Sequence, residues 1–205
     1  MKSKLFDVAE QHATEILKNE KQISQYPVQY PVFKLESGTW FGNIYAVVKV
    51  EPCTEFDGVR TNFEILENMY PDLREKKEVR NDFDEWFDSF APEQVEGNEI
   101  EYTDLVLQID SIFGSQIGRV YKHKNELGMI SPSFDYLSYN LKNSLNYISK
   151  GVQKPIIGLK PGLKDKTIKE RAVIVIMPLD FKEKEIDEAI VKVEKEIVKL
   201  KGDDE

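Results

Sequence analysis

Residues Leu5, Val8, Ala9, His12, Ile16, Leu17 and Ile23 recur at three- and four-residue steps, which predicts an amphipathic helix over residues 4–23. Tyr26-Pro27 and Tyr30-Pro31 end it, because a proline bars the residue before it from helical geometry. Residues 1–25 therefore read as an N-terminal helical element. The pattern then changes. Val32 to Leu35 and Asn43 to Val50 are β-branched and aromatic and read as strands, with Ser37-Gly38-Thr39 as the turn between them.

The stretch 51–101 is acidic yet carries Phe63, Ile65, Leu66, Met69 and Tyr70, then Phe83, Trp86, Phe87 and Phe90. Such spacing predicts short amphipathic helices, and so many large apolar groups exclude a solvated linker. Asp104 to Ile109 and Gly118 to Tyr121 read as paired strands around Phe113-Gly114-Ser115, with a further short strand at Met129 to Ser131. Phe134 to Ser149 has helical spacing through Leu137, Leu141, Leu145 and Ile148, and Lys150 to Lys169 reads as a basic loop. Val173 to Met177 is an unbroken apolar run that predicts a buried strand. From residue 182 onward Ile186, Ala189, Ile190, Val193, Ile197 and Leu200 share one face of a long helix, and an acidic tail follows.

These elements predict an α+β fold: a mixed, partly antiparallel sheet with packed helices and a long C-terminal amphipathic helix. The core spans 26–181, the acidic helical insertion lies within it, and 182–205 forms a docking helix with Ile186, Ile190, Val193 and Ile197 as its partner face. The same stripe also suits packing on the helix's own domain.

Composition narrows the class further. No stretch approaches the apolar length of a membrane span, and acids interrupt the basic N-terminus, so the expectation is a cytoplasmic protein without membrane contact. Cys53 is the only cysteine and His12 and His123 the only histidines, which excludes an intrachain disulfide and a thiolate-rich zinc site. The net charge of −9 conceals a partition. Residues 51–104 hold seventeen acids against five bases, whereas 105–180 hold eleven bases against six acids. Segregation of this kind predicts two unlike surfaces, one of which accepts polyanions.

Catalytic motifs do not assemble. The glycines fit neither a Walker loop nor a dinucleotide fingerprint, and Gly114-Ser115 is not a nucleophile elbow. Pro71-Asp72 with Glu75-Lys76-Lys77 resembles a nuclease metal motif, but its halves crowd into one short segment better read as a solvated, charge-laced helix. Asp82, Asp84, Glu85 and Asp88 lack the glycine and closing glutamate of a calcium loop, so they read as the wet face of an aromatic helix. No catalytic residue, metal ligand or cofactor is therefore expected. The basic loop offers Lys150, Lys154, Lys160 and Lys164 in a glycine-punctuated setting that suits phosphate contacts.

Taken in order, several segments of residues 100–200 resemble the target recognition domain of specificity subunits in type I restriction-modification systems. They are Glu101 to Leu107, Gly114 to Val120 with its Gly-Arg step, Leu127 to Pro132, Tyr136 to Ser144, the Lys150-Gly151 loop, and Val175 to Leu179 leading into Phe181 to Ile186. The resemblance implies a non-catalytic module that recognises a sequence in double-stranded DNA for a restriction-modification or related defence complex. On that reading Lys150, Lys154, Lys160 and Lys164 contact phosphates. Arg119, Lys122 and Gln153 contact base edges or phosphates, and the last helix docks a DNA methyltransferase subunit or a second copy. The competing expectation is an acidic protein-interaction module, such as a phage or mobile-element protein whose Glu51 to Asp104 surface occupies a basic partner.

Overall fold

The computed structural model describes residues 30–42, 46–50, 67–68, 74–111, 114–131, 145–163 and 165–202, with side chains of the final helix described through residue 194. The expected helix over 4–23, the centre of the helix expected from Phe134, Cys53 and Lys164 lie outside these residues. The described residues form an α+β structure with two sheets rather than one.

Strands β1 (Tyr30–Leu35), β2 (Gly38–Gly42), β3 (Ala46–Val50), β4 (Lys77–Arg80), β8 (Asn146–Ile148), β9 (Ile156–Leu159) and β10 (Ala172–Ile176) build the larger sheet, in the order β4-β1-β2-β3-β10-β9-β8. Its neighbours are antiparallel except β1 and β4, so the sheet is mixed as the sequence predicts. Phe33, Trp40, Val47, Val175, Ile157 and Ile148 face helix α1 (Phe83–Asp88). Its Phe83 and Phe87, with Trp86 and the following Phe90, seal that face. Trp86 stacks on Phe33 at 5.0 Å and meets Phe90 edge-on at 5.0 Å, geometries in which the ring quadrupoles attract. The alternate positions Val32, Phe41, Val48, Ile174 and Ile176 are buried too, and burial on both faces is why β10 reads as an unbroken apolar run. The aromatic half of the acidic stretch is thus an integral part of this core.

A second, antiparallel sheet of order β5-β6-β7 comprises β5 (Ile100–Ser111), β6 (Gly114–His123) and β7 (Glu126–Ile130). Helix α3 (Glu183–Gly202) covers one face, with Ile186 fully buried among Leu107, Ile109, Val120, Met129 and Phe181, and Ala189 and Ile190 packed beside them. The strand register shifts between Tyr102 and Val106. There the Thr103 hydroxyl donates to the Val120 carbonyl at 2.7 Å and accepts from the Leu105 amide at 3.2 Å, while Arg119 Nη1 donates to the Thr103 carbonyl at 2.9 Å. These bonds replace the ladder bonds that a bulge interrupts.

Four local expectations change. Gly38 to Gly42 is a strand, because Leu35 pairs with Gly38 and leaves Glu36 and Ser37 alone as the turn. Lys77 to Arg80 is a strand, not a continuation of a charge-laced helix. Parallel pairing with β1 overrides its weak local preference, and its charged residues suit an edge. Asn146 to Ile148 is a strand although helical spacing runs through it, because β9 supplies an antiparallel partner. Finally, Ile156 to Leu159 cuts the basic loop with a fully buried strand.

Candidate nucleic-acid interface

Splitting the basic loop rearranges its cations. β9 places Lys150 and Lys154 at its start, and Lys160 through Arg171 at its end, so they do not form one surface. At the far end Lys166, Lys169 and Arg171 are engaged locally. Short helix α2 (Ile168–Arg171) starts at Thr167, whose hydroxyl accepts from the Glu170 amide while Glu170 accepts from the Thr167 amide, a reciprocal capping box. The Glu170 carboxyl is held down at about 2 by the Thr167 backbone hydrogen bond, with Lys166 and the Thr167 hydroxyl adding to it. Lys169 reaches across to α1, 3.0 Å from Asp84 Oδ1 and 2.9 Å from Asp88 Oδ1. Arg171 Nε donates to the Lys160 carbonyl at 3.3 Å, and the Lys160 amide donates to the Arg171 carbonyl at 2.9 Å.

The near end is different. The segment 149–155 joins β8 to β9 and is pinned from three sides. Ser149, with no exposed surface, places its hydroxyl among the carbonyls of Gly151 at 2.7 Å and of Lys154 and Pro155 at 3.1 Å each. Its amide donates to the Asn98 carbonyl at 2.9 Å. The Tyr121 hydroxyl donates to the Val152 carbonyl, and the buried ring holds that proton far more tightly than an ordinary phenol because desolvation disfavours the phenolate. Tyr121 lies directly over Gly128, where any side chain would overlap the ring and Val152. Gln153 Nε2 donates to the Phe181 carbonyl.

Between these anchors the side chains of Lys150 and Lys154 stand exposed, with no ion pair among the described residues. His123 also reaches Ser149, and it brings the exposed Lys124 close to this segment. Lys182 joins through the Gln153–Phe181 contact. Sequence reasoning missed Lys182 because nothing local links residues so far apart in the chain.

Of the residues expected to contact DNA, Lys150 and Lys154 lie on this segment, whereas Lys122, opposite Glu101 and Leu127, alternates with Tyr121 and His123 and so belongs to the α3 face of the smaller sheet. The structure places Lys160 at the other end of β9. Arg119 is committed to the β5 bulge, with Asp104 Oδ1 3.8 Å away, and the Gln153 amide is committed to Phe181. The expected docking face is corrected in part. Ile186 and Ile190 pack on the helix's own sheet, whereas Val193 is 36% exposed, and the Ile197 side chain lies outside the described residues.

No family model, curated protein or solved structure matches the chain. Among the described residues no helix is long and apolar enough to cross a membrane, and no three His, Cys, Asp or Glu side chains group as metal ligands. Of the nuclease-like motif, Glu75 is exposed and Asp72 lies outside the described residues. In the other acidic candidate, Asp82 is held by Arg80, and Asp84 and Asp88 by Lys169.

Proposed function

We propose that this chain is a non-catalytic module that recognises double-stranded DNA for a restriction-modification or related defence complex. Segment 149–155 makes the phosphate contacts on this reading. One observation carries it: Lys150 and Lys154 stand exposed without counter-ions among the described residues on a segment whose backbone is fixed by Ser149, Tyr121 and Gln153. A fixed backbone lets two flexible ammonium groups meet phosphates without a loop-ordering cost, and phosphate contacts need charge more than exact geometry. Lys124, beside His123, and Lys182, next to Phe181, add cations near the same segment.

The resemblance of residues 100–200 to target recognition domains supports the choice of DNA over other polyanions. The Lys169 bridge to Asp84 and Asp88 supports it against the acidic-interaction reading, because those acids already have a cation within the molecule. Val191 and Val193, exposed on α3, are the apolar groups left among the described residues for a methyltransferase subunit or a second copy.

Chemical-shift mapping with a short labelled-free duplex tests this. Adding duplex should shift the amides of residues 150–154 and of Lys124 and leave those of α1 in place. Shifts confined to α1 and its acids with a basic protein, and none with duplex, would overturn the reading.

A further inference from the structure

His123 is a buried titratable group that neither the core nor the proposed phosphate contacts require. It closes the β6 strand, pairing with Ile100 on β5 and Glu126 on β7, and only 2% of it is exposed. Its ring makes a hydrogen bond with the Ser149 backbone, and Nε2 is buried with no hydrogen-bond partner among the described residues. A neutral imidazole tolerates this arrangement, since one nitrogen is engaged and the other is a bare acceptor. A protonated imidazole does not. Its second N–H would be a buried donor without an acceptor, and the charge would lie in a desolvated position beside Lys124.

We propose that His123 is a proton-sensitive latch on segment 149–155: uncharged, it holds Ser149 against the smaller sheet, and protonated, it releases the segment. Charged groups flank this corner on each packed element, with Lys124 and Glu126 the ones that act on the imidazole. Lys124 and Glu126 belong to the β6–β7 turn, Glu99 and Glu101 flank Ile100 on β5, and Lys150 follows Ser149. Burial and Lys124 hold the imidazole below its ordinary range, outweighing the opposing pull of Glu126 and the Ser149 hydrogen bond. The sign follows. Above about pH 6.5 both latched and released states are neutral, and the latch has full strength. As pH falls below that value the released state takes up the proton first, so the latch weakens. Its consequence for DNA rests on the proposed role of Lys150 and Lys154, because release would let both lysines move.

Amide hydrogen exchange on the full chain tests the latch without any DNA, so failure here is separable from failure of the DNA reading. The amides of Ser149 and Lys154, which donate to Asn98 and Gly151, report the segment, and those of β10 serve as the reference. Their protection factors should fall by up to about tenfold per pH unit below about 6.5, in step with the His123 ring resonance, while β10 stays constant. His123→Gln, which cannot take up a proton, should abolish the dependence. The proposal is overturned if protection at Ser149 and Lys154 stays flat while the His123 ring titrates, or if the dependence survives in His123→Gln. Should that variant not fold, the coincidence of ring titration with loss of protection in the unmodified chain decides the matter alone.

Discussion

The ammonium of Lys169 lies 3.0 Å from the carboxylate of Asp84, joining the segment that the sequence marks as basic to the one it marks as acidic. Asp88 shares the cation at 2.9 Å, and the same ammonium sits 5.9 Å from the centre of the Phe87 ring. Against a partial burial that disfavours the charged amine, hydrogen bonds to Asp88 and Asp84 raise its pKa. The two charge classes therefore meet at this corner instead of facing apart.

Lys169→Met should accordingly destabilise the fold by about 1 kcal/mol or less, the range of solvent-accessible ion pairs. Urea denaturation at low and high salt checks it. The difference from the unmodified chain should shrink near 1 M salt, where screening acts over about 3 Å. A deficit that ignores salt would assign the effect to packing on Phe87.

Ser149→Ala removes the hydroxyl that sits among three loop carbonyls in a fully buried position. A loss of about 1–3 kcal/mol is expected, because the one proton these carbonyls share and the acceptor of the Gly151 amide are both lost. Equilibrium unfolding measures it, and a loss below about 0.5 kcal/mol would mean that the segment has other anchors of equal weight.

Gly128→Ala should cost about 1–3 kcal/mol, since the new methyl group must displace Tyr121 and break its contact with Val152. Combining it with Tyr121→Ala should give less than the sum of the two losses, as residues in direct contact do not add. Strict additivity in that cycle would place the strain elsewhere.

Glu170 should titrate near 2, and Thr167→Ala should raise it only in part, because the backbone amide at 167 that contributes most is kept and only the hydroxyl is lost. A carboxyl depressed in the folded state adds stability above its unfolded pKa of about 4.3, and that stability is lost as pH falls toward the folded value. The stability gap between the unmodified chain and Glu170→Gln should close over that interval. Carboxyl resonances followed from pH 6 to 1.5 read the titration, and equilibrium unfolding over the same range reads the gap.

Much of this fold is legible in the sequence wherever burial leaves a periodic trace. The run around Val173 to Ile176, the hairpin of Asp104 to Tyr121, the aromatic helix at Phe83 and the last helix all stand where the pattern places them. Elements decided by distant partners are not legible. Lys77 to Arg80 is a strand because β1 lies beside it, and Ile156 to Leu159 is too short to stand out among the lysines that flank it. The candidate interface is legible by residue type only. Lys150 and Lys154 can be picked out as loop cations, but nothing local shows that Arg119 closes a bulge, that Gln153 holds Phe181, or that Lys182 lies at the same end.

Binding of a fluorescent duplex by the full chain, in the presence of a methyltransferase subunit and across a salt series, tests the central claim most directly. Affinity should fall steeply with salt, and Lys150→Ala with Lys154→Ala should weaken binding to all sequences about equally while lowering the log–log salt slope by about 2, one counter-ion per lost phosphate contact. No binding at low salt, or binding that keeps its full slope in the double variant, would contradict the assignment of this segment to DNA.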